Sequence, residues 1–183
     1  MTYYGSKDLA RNFQQVRSNT LQAAEEIPED KYGFKSSPET RSIGQTLVHI
    51  AASTGIQLHI QSSRIDDLKN VNFLELFQKC GAEEAKPRTK ADVVAFLKAE
   101  GERFASYLDG LSDSFLAETV AMPPGAEPPS KSRFEMLLSP KEHEMHHRAQ
   151  LMMMQRMIGL VPHLTRHMQE RMAQHAAAAP AAG

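Results

Sequence analysis

An all-α protein, an antiparallel four-helix bundle with a short C-terminal extension helix, is predicted by three observations. Four long stretches repeat apolar residues three and four apart, the spacing of a single helical face. Each is bounded by residues that start or stop helices, among them Pro28, Ser42, Thr89 and Gly159. No set of strand-like runs long enough for a sheet is present, and the composition leans toward Ala, Leu and Met, which favour helix.

The first helix runs from Ser6 to about Ile27, with Leu9, Phe13, Val16, Thr20, Ala23 and Ala24 on its repeat, and Pro28 ends it. Residues 28–41 contain Pro28, Gly33, Ser36, Ser37 and Pro38, a loop composition, with Tyr32 and Phe34 expected to tuck against the bundle. Ser42 and Gln45 have the spacing of a capping box. They open a second helix that carries Ile43, Leu47, Ile50, Ala51, Ile56 and Leu58 and ends near Ser62. Residues 65–87 are mixed and read as a connection with one short helix. Thr89, with Asp92 three residues on, starts a third long helix through Val93, Val94, Phe96, Leu97, Phe104 and Leu108, closed by Asp109-Gly110.

Residues 111–131 are the least helical part. Thr119-Val120-Ala121 and Ser132-Arg133-Phe134 are candidates for a small hairpin or an extended crossover. A fourth long helix is expected from Arg133 to Ile158, where Pro140 either begins a new helix after Ser139 or kinks a longer one. Beyond Pro162, Leu164, Met168 and Met172 lie four apart and suggest a short fifth helix, followed by an Ala/Pro tail from Ala176 to Gly183 expected to be mobile. The expected division is residues 1–162 as the bundle and 163–183 as the helical extension and tail.

The length of 183 residues suits one domain able to bury a substantial core. With 21 basic against 22 acidic residues and no Lys/Arg run longer than two, the chain lacks the concentrated basic face that nucleic acid requires. The single Cys80 forms no internal disulfide, which fits a reducing compartment. The N-terminal segment lacks the apolar core of a secretory signal, and no stretch approaches the ~20 apolar residues of a membrane span. A cytoplasmic location is expected. Met152, Met153, Met154 and Met157, with Leu151 and Ile158, make the fourth helix apolar around much of its circumference. A homodimer is expected from this, the rival being a fifth helix that covers the spare face.

Chemistry concentrates at His143-Glu144-Met145-His146-His147. His143 and His147 share one helical face, in a stripe continued by Gln150 and Met154. His49, mid-way along the second helix on the face of Gln45, Thr46 and Ser53, is the natural third donor. Three neutral imidazoles suit a divalent cation such as zinc or nickel, and three protein ligands leave a position for water or substrate. Spacing alone leaves two explanations open, a metal site and a hydrogen-bonded or solvated face. His143-Glu144-x-x-His147 also matches the zincin pattern, but no upstream sheet accompanies it, and Gln150 stands where the metzincin extension has glycine. Gln150, Gln45 and Glu144 are candidates for an outer shell. For Gln45 a helix cap is the expected role, and for Glu144 a solvated position. His146 is expected at the surface, and His59, His163, His167 and His175 without a metal role. Cys80 is expected to be a half-buried apolar residue of ordinary reactivity.

The segment Ile43-Gly44-Gln45-Thr46-Leu47-Val48-His49-Ile50, followed late by His143-Glu144-Met145-His146-His147-Arg148-Ala149-Gln150-Leu151 and Gly159-Leu160-Val161-Pro162, resembles the DinB/YfiT-like family of metal-binding four-helix bundles. Ile27 to Phe34 resembles the family's connection between its first two helices. The likeness spans residues 6–162, with Ala149 in place of the usual Gly. It implies a metal triad of His49, His143 and His147. It also implies a metal-dependent enzyme acting on a small molecule, as a hydrolase or as a transferase that uses a low-molecular-weight thiol. The alternative is a non-catalytic metal-binding or stress-related protein.

Overall fold

The computed structural model describes residues 4–178. Helix α1 (Ser6–Glu26) begins where the Asp8 carboxylate accepts from the Gly5 amide. A single 3-10 turn at Glu29–Lys31 follows, and the Tyr32 hydroxyl donates to Ala24 O (2.8 Å), tying the loop back onto α1. The Gly44 amide donates to Tyr32 O, and a Cβ at position 44 would stand 3.4 Å from that oxygen, so the loop lies flat on the start of α2 (Ile43–Ser62). Ser42 and Gln45 form the expected reciprocal cap.

After a 3-10 turn at Leu68–Asn70 come α3 (Phe73–Ala85), capped by Asn72, and α4 (Lys90–Asp109), opened by the Thr89–Asp92 box. A one-turn helix α5 (Asp113–Ala117), which the sequence did not signal, precedes strands β1 (Thr119–Ala121) and β2 (Ser130–Ser132). These pair antiparallel, with Val120 opposite Lys131. The second strand therefore ends at Ser132 rather than continuing through Phe134, because Ser132 and Glu135 cap the next helix. That helix, α6 (Arg133–Met157), runs unbroken through the buried Pro140. The last, α7 (His163–Ala178), packs on α1. It is longer than the short helix expected and takes in Ala176–Ala178, the start of the anticipated tail; the rest of that tail lies outside the described residues.

The four-helix bundle is α1, α2, α4 and α6, and its wiring follows from which residues share a core. One cluster joins Ala24 and Ile27 from the end of α1, Ile43 to Ala51 from the start of α2, Val93 and Leu97 from the start of α4, and Leu151 and Met154 from the end of α6. The opposite cluster joins Leu9 to Phe13, Leu58, Phe104 to Leu108, and Leu137. So α1 and α6 point one way, and α2 and α4 the other. Neighbouring pairs are α1/α4, α2/α4, α2/α6 and α1/α6, which leaves α1 diagonal to α2 and α4 diagonal to α6. Because α2 and α4 run parallel, the chain must return between them. Helix α3 makes that return along α2 and brings its C-terminal end back toward the first half of α2.

Two polar anchors lie inside the apolar core. Arg133 is 2% exposed and donates to Glu118, to Gln61 Oε1 and to Ile65 O. Arg17, 4% exposed, donates from Nε to both carboxylate oxygens of Glu144 at 3.0 Å and from Nη1 to Leu97 O.

Candidate metal centre

The α2/α6 interface brings the three predicted histidines together. His143 Nε2 stands 3.2 Å from His49 Nε2 and 3.1 Å from His147 Nε2. Donors held about 2.0–2.1 Å from one ion are separated by about 2.8–3.4 Å in right-angled to tetrahedral arrangements. The observed spacing falls in that interval, and the three groups form a set close enough to hold a metal ion.

The outward nitrogen of each ring has its own partner. His49 Nδ1 donates to Glu84 Oε1 (2.8 Å), and His147 Nδ1 donates to Gln150 Oε1 (2.8 Å). The Ser53 hydroxyl, one turn beyond His49, donates to Ile50 O, which leaves its oxygen free to accept from His143 Nδ1 at 3.3 Å. A carboxylate and an amide oxygen only accept, so the protons of His49 and His147 are fixed on Nδ1. Three Nε2 lone pairs then face one another, an arrangement that a shared cation resolves. Carboxylate, hydroxyl and amide partners of this kind fix tautomer and ring orientation at metal sites.

Burial, reinforced by the neighbouring rings, pushes the His143 pKa down to about 4. His49 and His147 are also lowered, first by burial, with Glu84 and Gln150 working against it. All three are thus neutral ligands at neutral pH. Burial alone would raise the Glu84 carboxyl, but its hydrogen bonds and charge interactions with Arg41 and His49 outweigh that and hold it low. The Arg41 Nε donates to Glu84 Oε2 (2.6 Å), so Arg41, Glu84 and His49 form one chain.

A cleft of about 860 Å³ reaches one edge of this centre, lined there by His147, the one of the three histidines it touches, with Glu84 and Arg41. Ser36 to Arg41 form one wall, and His146, Gln150, Met153 and Met154 of α6 the other.

The outer residues divide. Gln150 Oε1 accepts from His147 Nδ1, and Gln45 caps α2. Glu144 is neither solvated nor near the triad: it is 1% exposed and bound to Arg17. Helix α6 packs on α1 as well as on α2, and Glu144 lies on the α1 side, where Arg17 receives it. His146 is exposed beside Gln150, and His59 lies apart with Cys80 along a separate groove. Burial and then Glu84 and Glu83 raise the Cys80 thiol pKa, in keeping with an unreactive residue. His163 is buried at the start of α7, away from the triad. The sequence missed Glu84. It sits on the short return helix, and no spacing in the chain relates it to His49.

The DinB superfamily profile matches residues 12–151. No curated protein matches the chain by sequence. A DinB-like protein of Bacillus subtilis, YjoA, superposes with a TM-score of 0.62 at 20% identity, over 82% of this chain and 92% of that one. YfiT from Bacillus subtilis, described as a probable metal-dependent hydrolase with an unusual four-helix bundle topology, gives 0.66 at 15%, over 87% and 91%. A conserved protein of Enterococcus faecalis gives 0.62 at 15%, over 85% and 97%. With the family profile covering most of the sequence and the same bundle recurring in these structures, the chain belongs to the DinB superfamily.

Proposed function

We propose that the protein is a divalent-metal-dependent enzyme of hydrolytic type that acts on a small molecule, with His49, His143 and His147 as its ligands. The observation that carries this reading is the convergence of three Nε2 lone pairs, each ring held by an acceptor on its far side. Zinc or nickel suits three imidazoles. Bound there, such an ion supplies Lewis acidity and makes a water or thiol that joins it more acidic. The chain's own contribution is orientation. Glu84, Ser53 and Gln150 aim the rings, and the cleft walls position a substrate beside His147.

The cleft favours an enzyme over storage, because a centre sealed by a fourth protein ligand has no room for substrate. No cysteine lines this cleft, so a thiol-transfer reaction would need a free thiol as cosubstrate. Metal analysis of the purified protein should find about one divalent ion per chain, and His147→Ala should lose most of it; equal content in the two would remove the reading. Screening the loaded protein against esters, amides and thiol-conjugation substrates should give metal-dependent hydrolysis. Conjugation without hydrolysis would assign the transferase chemistry instead.

A further inference from the structure

We infer that Arg41 is the anion-recognising residue of the cleft and that the substrate is a small amphipathic acid, its carboxylate paired with Arg41 and its apolar part against Met153 and Met154. This rests on the reading of the cleft as a substrate site.

The position of Arg41 supports it. The residue immediately precedes the Ser42 cap, at the end of the loop that forms one cleft wall, and its side chain is 43% exposed. Glu84 engages its Nε at 2.6 Å and, loosely, its Nη2 at 3.4 Å. The Nη1 donors have no protein partner among the described residues, and Arg41 is one of the residues that line the cleft. Guanidinium donors fixed on one side and open on the other suit a planar carboxylate, and the existing ion pair holds the fork in place.

The surrounding charge agrees. Glu84 is neutralised by Arg41, and the three imidazoles are neutral, so a divalent ion leaves the inner cleft cationic. Glu39, which also lines the cleft, belongs to the same outer wall as Ser36 and Thr40 and opposes this field in part. The opposite wall carries an apolar patch of Ala149, Met153 and Met154 beside the polar His146 and Gln150. An adaptable methionine pair accepts varied hydrocarbon shapes. A wholly ionic or wholly apolar ligand would leave one wall unmatched.

Calorimetric titration with benzoate and with benzamide, its neutral near-isostere, tests the inference on both zinc-loaded and metal-free protein. Benzoate should bind wild type at least tenfold more tightly than benzamide. Arg41→Gln should reduce that ratio to within about twofold, and Arg41→Lys should restore most of it. Circular dichroism and zinc content of each variant separate loss of recognition from loss of fold or metal. If Arg41→Gln keeps the tenfold preference, the ion alone selects the carboxylate and the inference falls. It falls equally if wild type binds the two probes alike, or binds neither. If the protein takes up no zinc, the metal-based proposal fails, while the metal-free titration still decides the role of Arg41.

Discussion

Glu84 shows how far a candidate metal centre depends on residues outside the ligand set. Its carboxylate accepts from His49 Nδ1 and is held by Arg41, so it fixes the tautomer that presents Nε2. Removing such a partner typically weakens metal binding about 10–100-fold, and Glu84→Ala should raise the zinc dissociation constant by that factor in a competition assay with a chromogenic chelator. Unchanged affinity would mean that His49 is oriented by packing alone. Acid should empty the centre as well. The His143 pKa is depressed to about 4 in the folded protein against 6.5 for the free group. The unfolded chain therefore takes up this proton at higher pH than the folded one. Stability is full above about 6.5 and falls as pH drops toward about 4. Protons compete with the cation in the same direction, but only as the pH approaches the lowered folded-state values, so metal should be held at about pH 6 and lost as pH falls toward about 4. Stoichiometric metal retained at about pH 2, well below these values, would contradict three-histidine ligation.

At the scale of elements, α6 is set by a buried clamp. Arg17 is pinned by Glu144 at one end and by Leu97 O at the other, so α1, α4 and α6 meet at one side chain. The clamp lies on the side of α6 away from His143 and His147 and fixes the rotation of the helix that carries them. Glu144→Gln leaves a buried guanidinium without its counter-charge and should cost about 3–5 kcal/mol in urea unfolding. If Glu144 were instead a zincin-type base, the variant would keep its stability and lose turnover alone. Gly101 is part of the same device: a Cβ there would come within 2.8 Å of Arg17 Cγ and 2.9 Å of its Nη1, the atom that donates to Leu97 O. Alanine would gain about 1 kcal/mol of helix propensity, but Arg17 cannot yield without giving up both its contacts. A net loss of about 1–3 kcal/mol is expected for Gly101→Ala.

Helix ends were legible because capping chemistry is local: Ser42 with Gln45 and Thr89 with Asp92 open their helices where the spacing said. The triad was legible because four residues is one helical turn. Glu84 and Arg17 were not, since each acts across the bundle and depends on which helices are neighbours. The fate of Glu144 was misjudged for the same reason.

For the whole molecule, the methionines of α6 point to assembly. Helices α1 and α2 cover two of its sides and α7 lies on α1, yet Met157 of α6 and Val161 just beyond its end remain 52% and 49% exposed. Met168 and Met172 of α7, whose spacing suggested a packed face, are also exposed, so α7 does not bury its own apolar row. An apolar stripe of this kind on a soluble surface marks a contact, and we propose a second copy of the chain as its occupant. Light scattering should give about twice the 20.4 kDa chain mass, and Met157→Glu should halve it. A monomeric wild type would overturn the dimer.

The diagonal placement of α1 and α2 has a last consequence. The segment joining them must cross one end of the bundle, and its later part, Ser36 to Arg41, becomes the outer boundary of the cleft. The three histidines and the outer cleft wall are therefore encoded in separate stretches of chain. Insertions or exchanges within that crossing segment reshape the mouth of the cleft while the histidine cage stays as it is.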